Sequence, residues 1–532
     1  MNKRPGLEAW ILLALVLLGT GAVRLRLLEA PLDRDEGECA YFGQLLLQGI
    51  PPYATAYHAK LPGVYAAYAA ALALFGRSIA GIHLGLLVVN AATSIVVFLV
   101  AARLFSRTVA VSSAAVFAVL SLSPRLQGLA AYAEHFLLLP ALAGALVLLR
   151  AVESRRLLAF FASGILVGLA FIIKQSGGAF VLFAALYAFL TPGPAAERDD
   201  WRHRVSPALA VVAGALIPFA IVCAGFAAAG LFDRFWFWTV VYTSHYASTT
   251  PPAVGLLLLA LATHSILSSA YLVVLPTLVG VAALFWDSQA RAGRSFILLL
   301  SVCALAGVSV GLYFRNQYFL LLTPAGALLA GFGADALARR VSRAPALRYA
   351  LCAALIAVPL GHFAWAERAI LFQTPPADLA RALAPPRNPL PESLEIGRWL
   401  RAHSAPTDRI AVIGSEPQIY FYAGRRAATG YIYMYPLMEN QPYAAEMQRR
   451  MIEEIEAARP RFVVLVNVAV SWNVAQMSDR TLFRWWPRYQ EGFERVGVAD
   501  IMDRGTRYVW GREAAAYTPL SPVWVAVFER KA

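Results

Sequence analysis

The segment Leu32-Asp33-Arg34-Asp35-Glu36-Gly37-Glu38 places four carboxylates within six residues. Crowded carboxylates repel one another, and partial burial adds to that repulsion, so one of them can be driven toward the pKa of a useful general base. The same charges could instead cap a helix over Cys39–Gln48. Up to residue 366 the chain has fourteen Asp and Glu in all, so four at one point is a concentrated expense of charge. Lysine is equally selective. It occurs only at Lys3, Lys60, Lys174 and Lys531, the other 42 of 46 basic residues being arginine. A lysine kept in such a chain is a candidate for chemistry that arginine does not serve.

The elements that must position these groups are membrane helices. Of 532 residues 59% are hydrophobic and 15% charged, with mean hydropathy +0.58, far from the balance of a soluble domain. The apolar excess stops near residue 366. Stretches of about 20 apolar residues predict some eleven spans, near 7–28, 79–102, 108–124, 134–150, 157–173, 178–191, 206–230, 267–286, 295–314, 318–338 and 346–366. Residues 62–75 and 251–265 fit this series less simply and are expected to lie at the outer surface or re-enter from it. The connections on the N-terminal side carry sixteen basic residues, among them Lys3, Arg4, Arg103, Arg155, Arg198 and Arg339, against nine opposite. The positive-inside rule then predicts a cytoplasmic N-terminus and an acidic loop on the outer face of the inner membrane. The first span is long for a signal peptide and no small-x-small site follows it.

The net charge of +14 does not indicate nucleic acid, because most of the positive residues sit in short loops between apolar runs. The four cysteines form no CxxC spacing. His58, His135 and His245 form no i, i+4 pair, so neither a metal nor another cofactor is expected. No inverted repeat relates the two halves, which disfavours a secondary transporter.

After the acidic loop come Gly49-Ile50-Pro51-Pro52-Tyr53 and then His58-Ala59-Lys60-Leu61-Pro62. Further along are Gln127-Gly128 through Glu134-His135-Phe136, Gly168-Leu169-Ala170 through Lys174-Gln175, and Arg315-Asn316-Gln317-Tyr318-Phe319. In this order the chain resembles the GT-C membrane glycosyltransferases, specifically bacterial relatives of the dolichyl-phosphate-mannose protein mannosyltransferases and of the aminoarabinose transferase acting on lipid A. Gln317 stands where that family usually has histidine. The resemblance implies a hexosyl or pentosyl transferase using a polyprenyl-phosphate sugar, since nucleotide sugars are cytoplasmic and the reactive loops face outward. It implies an inverting displacement with Asp35 as base, aided by Glu36, and with Lys60, Lys174 and Arg315 at the donor phosphate. Glu134, His58 and Tyr318 would support the acceptor, which could be a glycan, a lipid or a protein. A transporter or flippase of a lipid-linked saccharide is the alternative, with the outer charges only binding a headgroup.

The prolines between 375 and 391 predict a linker over 367–391, joining a transmembrane domain (1–366) to a soluble one (392–532). In the latter, Glu392–His403 and Glu446–Arg459 have helical spacing, and Arg409–Gly414, Arg461–Val468, Arg507–Trp510 and Val523–Glu529 read as strands. This alternation predicts a periplasmic α/β domain covering the site. Tyr431, Tyr433 and Tyr435 have strand-like spacing and are expected to pack on the membrane block.

Overall fold

The computed structural model describes residues 6–191, 202–384 and 387–531. Lys3, Arg4 and Arg198, counted above for sidedness, and Pro385 and Pro386 of the linker lie outside the described residues.

Among the described residues, eight helices are long and apolar enough to cross a bilayer, from Leu7–Arg26 to Pro345–Ala366. Shorter apolar helices, Arg107–Leu120 and Leu157–Ile173 among them, pack between these. The closest approaches are made through small residues. A Cβ on Gly164 would lie 2.1 Å from the Val211 carbonyl oxygen, and one on Gly168 2.5 Å from that of Ala215. Any larger residue at either position would push Leu157–Ile173 away from the Arg202–Ala228 helix, which is the reason for the four-residue glycine spacing.

Residues 251–265 do not form a separate surface helix. They are the first part of one 35-residue helix, Pro252–Trp286, about 52 Å long at 1.5 Å per residue and so longer than the hydrocarbon slab. Pro251 and Pro252 mark its start, where a missing N–H costs nothing. Residues 62–75 do form a separate helix, Pro62–Phe75. It packs on the Arg34–Leu46 helix, with Phe42 stacked on Tyr65 at 4.0 Å, and Tyr68 donates to the Ala131 carbonyl at 2.6 Å.

Charge collects at the two ends of this block. Glu134 begins the Ala133–Ser154 helix and Glu153 ends it, roughly 28 Å apart by helical rise. Glu153 pairs with Arg103. Arg339 pairs with Asp335 and, at 2.6 Å, with Asp287. The acidic loop and Lys174 belong to the Glu134 end.

The segment read as a linker carries a helix, Pro376–Leu383, whose buried Leu379 packs on Leu27 and Ala30. Beyond it six strands form one sheet: β1 (Arg409–Ile413), β2 (Arg426–Ala427), β3 (Phe462–Asn467), β4 (Phe493–Met502), β5 (Gly505–Trp510) and β6 (Trp524–Arg530). The order is β2-β1-β3-β6-β4-β5, with β1 parallel to β2 and β3 and the remaining pairs antiparallel. β4 is absent from the sequence reading because its hydrophobic run is broken by Glu494, Arg495 and Asp500.

This sheet domain and the acidic loop share one apolar core, which joins Tyr41, Phe42 and Leu45 to Ile410, Val412, Tyr420 and Val464. A Cβ on Gly37 would meet Gln418 Cβ at 2.4 Å, so glycine there lets the Arg34–Leu46 helix lie against the outer domain. Arg34 ties the two together, pairing with Glu416 at 2.8 Å.

Candidate active site

The Arg34–Leu46 helix starts with a capping box. Asp33 accepts from the Glu36 N–H at 2.9 Å, and Glu36 accepts from the Asp33 N–H at 3.1 Å. Part of the acidic cluster is therefore structural. Glu36 also accepts from the Ala131 N–H at 2.6 Å and stands 3.1 Å from His83 Nε2. Its carboxylate is buried and does not reach the cavity described below, which corrects its assignment beside Asp35 as a reacting group.

Asp35 and Glu38 are three residues apart and share the other face of the helix. Lys60 Nζ bridges them, 2.7 Å from Asp35 and 2.6 Å from Glu38. The loop that delivers Lys60 is fixed by the Gly49 to Tyr53 turn, in which Gly49 and Tyr53 both have positive φ, +77° and +65°. Tyr53 is fully buried and donates to the Lys60 carbonyl at 2.6 Å. Glu38 is held further by Tyr65 at 2.8 Å, and His58 Nδ1 stands 3.2 Å away. Nothing in the sequence reading singled out Glu38; its spacing from Asp35 was the available signal.

One carboxyl of the cluster is driven up, but it is Asp33 and not the group that faces Lys60. Burial, the largest single influence, pushes the Asp35 carboxyl up, but the Lys60 ammonium, with Arg315, outweighs it and holds the group below the ordinary carboxylate range. Asp33 is the carboxyl pushed up, to about 7, by burial and then by the charges of Glu36 and Asp35. Burial alone would lower the Lys60 ammonium, yet Asp35 and Glu38 raise it, so it stays charged. Burial lowers the His58 imidazole, which favours its neutral form.

Asp35 and Lys60 open onto a cavity of about 310 Å³, within the range of small-ligand pockets. His58, Glu134, Lys174, Arg315 and Tyr318 line the same cavity, so every site residue expected from the sequence except Glu36 meets here. Lys174 caps the Leu157–Ile173 helix, pairs with Glu134 and lies 4.2 Å from the Tyr318 ring centroid. The second oxygen of Glu134 is buried without a hydrogen-bond partner. Arg315 follows a turn in which Gly311, Leu312 and Phe314 all have positive φ, a strained backbone of the kind found at functional sites. Arg315 is exposed as a residue, and its guanidinium turns toward the cavity, donating to the Tyr246 hydroxyl at 3.4 Å.

The far wall is built from aromatic and polar residues of the membrane block and the outer domain. Tyr246 stacks on Tyr313 at 4.6 Å, and Tyr242 donates to Glu439. Burial pushes the Glu439 carboxyl up. Tyr433, Tyr435 and Asn473 from the outer domain complete the lining. Among the described residues, no group of three or more His, Cys, Asp or Glu is placed to hold a metal ion.

Residues 58–224 match the family model of the dolichyl-phosphate-mannose-protein mannosyltransferases. A comparison with curated protein sequences finds no match. Among solved structures, ArnT from Cupriavidus metallidurans bound to undecaprenyl phosphate superposes with a TM-score of 0.58 at 15% identity, covering 98% of each chain. The archaeal oligosaccharyltransferase AglB from Archaeoglobus fulgidus, in complex with an inhibitory peptide and a dolichol-phosphate, gives 0.53 at 12% identity over 97% of this chain and 75% of that one. The arabinofuranosyltransferase AftD from Mycobacteria gives 0.51 at 15% identity, over 99% of this chain and 40% of that one. The chain therefore has the GT-C fold of these membrane glycosyltransferases, and its residues 58–224 carry the mannosyltransferase family pattern.

Proposed function

We propose that the chain is a glycosyltransferase of the inner membrane. It takes a hexosyl or pentosyl group from a polyprenyl-phosphate donor at the periplasmic face and passes it to a hydroxyl of a glycan, lipid or protein acceptor. The observation that carries this reading is the meeting of Asp35, Lys60, Lys174 and Arg315 in one cavity at one end of the helical block. Its support from relatives is that the solved ArnT holds undecaprenyl phosphate and the solved AglB a dolichol-phosphate. The excess of arginine in the opposite connections supports a cytoplasmic N-terminus and a periplasmic outer domain.

The reaction divides into a proton to remove and an anion to receive. Asp35 takes the proton of the acceptor hydroxyl as its oxygen attacks the anomeric carbon. The bond from that carbon to the phosphate oxygen breaks on the opposite face, so the configuration inverts, and the electron pair leaves with polyprenyl phosphate. Arg315, whose guanidinium donates a single, long hydrogen bond among the described residues, to the Tyr246 hydroxyl, is the readiest cation for the phosphate. Lys174, kept charged by Glu134, stands second.

Lys60 couples the two halves. While it bridges Asp35 and Glu38 it depresses the base. An incoming phosphate competes for the ammonium, and each step of Lys60 away from Asp35 raises the basicity of that carboxylate. In this reaction the side chains of Asp35, Arg315, Lys174 and Lys60 serve as proton acceptor and cations.

The test is reconstitution in lipid nanodiscs with radiolabelled polyprenyl-phosphate sugars and a membrane extract as acceptor. Release of free polyprenyl phosphate together with an inverted glycosidic linkage is expected. Movement of intact donor between leaflets without bond cleavage would overturn the proposal in favour of a flippase.

A further inference from the structure

The outer domain carries an uncharged apolar loop, opened by the helical turn Ala469–Trp472, at the mouth of the cavity. Residues 469–477, Ala-Val-Ser-Trp-Asn-Val-Ala-Gln-Met, contain no Asp, Glu, Lys or Arg. Val470, Val474 and Met477 are exposed by 36%, 39% and 74%. The loop is nonetheless fixed: Tyr435 donates to the Val470 carbonyl at 2.6 Å, and Trp472 Nε1 donates to the Val466 carbonyl at 2.7 Å. Exposed apolar side chains held on an ordered loop point to a surface that covers them.

Two further observations say what that surface is. Asn473, in the middle of the loop, lines the cavity together with Gly307, Val310 and Gly311, which belong to the end of the candidate span Arg294–Leu312. The loop thus stands at the level where that span leaves the hydrocarbon. Directly after it, Arg480, the N-cap of the Thr481–Tyr489 helix, and Arg484 and Arg488 within that helix recur every fourth residue, and all three are exposed. Phe483 of that helix packs on Trp472 of the loop at 5.0 Å, so arginine stripe and apolar loop form one surface. Asp479, the acidic residue between them, is turned back to accept from the Thr481 N–H at 2.8 Å. An apolar edge flanked by a row of arginines matches the interfacial layer of an anionic leaflet, apolar side chains below and lipid phosphates above.

We propose that this surface rests on the leaflet at the cavity's side of the membrane. Val470, Val474 and Met477 enter the interfacial layer, and Arg480, Arg484 and Arg488 meet lipid phosphates. Bilayer and outer domain then frame the cavity mouth together, and the docked domain keeps that mouth open at headgroup depth.

The experiment uses the full chain in nanodiscs of phosphatidylcholine with or without phosphatidylglycerol. Met477→Cys is labelled with an NBD fluorophore in a Cys223→Ser background, since Cys39, Cys303 and Cys352 are buried. Asp503→Cys, at a side chain 82% exposed in the β4–β5 turn, is the reference. The expected result is blue-shifted emission and quenching by doxyl-labelled lipid at position 477 only, with Arg480→Glu plus Arg484→Glu reducing the quenching about fivefold or more in the anionic discs. Thermal unfolding of each variant confirms that it is folded. A label at 477 that behaves like the one at 503 in both compositions would overturn the proposal. So would one shielded from water but unquenched by lipid, which would place a protein partner there.

Discussion

Lys60 Nζ lies 2.7 Å from an oxygen of Asp35, and the same ammonium lies 2.6 Å from Glu38. The proposed base is thus held in its charged, weakly basic form by a cation also suited to the donor phosphate. Lys60→Met should free Asp35 from that depression, leaving burial to push its carboxyl up. A carboxyl held low stays ionised until the pH falls through its folded pKa. The acid limb of residual transfer should therefore move to higher pH by about one to three units in the variant. A pH–rate profile checks this, and an unmoved limb would show that Lys60 does not set the charge of Asp35.

Asp33 gives the opposite sign. Its carboxyl is pushed up to about 7, so its contribution to stability is full below the ordinary carboxylate range and is lost as pH rises through that value. Thermal unfolding of the wild type should show stability declining between about pH 4 and 7, the ordinary and the raised carboxyl values, with no further loss from this group above them. Asp33→Asn, which retains an oxygen to cap the helix, should flatten that decline. A profile equally steep in the variant would assign the effect elsewhere.

Removing Lys174 should damage folding as well as transfer. Glu134 is 1% exposed and pairs with Lys174, so Lys174→Ala leaves a buried carboxylate uncompensated, at a cost of about 3 kcal/mol. Glu134→Gln added to Lys174→Ala should restore most of the stability and none of the donor affinity. Denaturation and donor-binding measurements on the same samples separate the two effects.

Arg315 is the cation with least to lose on leaving its present contacts. Arg315→Ala should weaken binding of polyprenyl phosphate by about 10- to 100-fold, the scale of a charge-assisted contact, with little change in unfolding temperature. Arg315→Lys should recover part of that affinity. Equal binding in wild type and Arg315→Ala would remove Arg315 from the phosphate site.

Much of this site was legible in the chain itself, because charges are scarce there and each one is informative. Asp35, His58, Lys60, Glu134, Lys174, Arg315 and Tyr318 all line the cavity. Glu36 stays outside the cavity for a geometrical reason: one residue on from Asp35 it is turned about 100° around the helix, inward to Ala131 and His83. Asp33 rather than Asp35 has the raised pKa, since Lys60, 25 residues away in sequence, chooses Asp35 as its partner. Glu439 is not readable as a site residue, because only the docking of the outer domain brings it to the cavity, whereas Tyr246 and Tyr313 of the membrane block meet through the turn at Gly311–Phe314, which no spacing in the chain announces. The helix over Pro252–Trp286 is longer than a single span, so its first part falls outside the spacing of the other spans, and Pro251 and Pro252 stand where that one helix begins.

The most direct test of the central claim compares Asp35→Asn with wild type in nanodiscs, measuring sugar transfer and donor binding on the same samples. Transfer lost by about 100-fold or more, with donor binding retained, is the expected result for removal of a general base. Transfer at the wild-type rate would contradict the account, because the proton of the acceptor would then leave by another route.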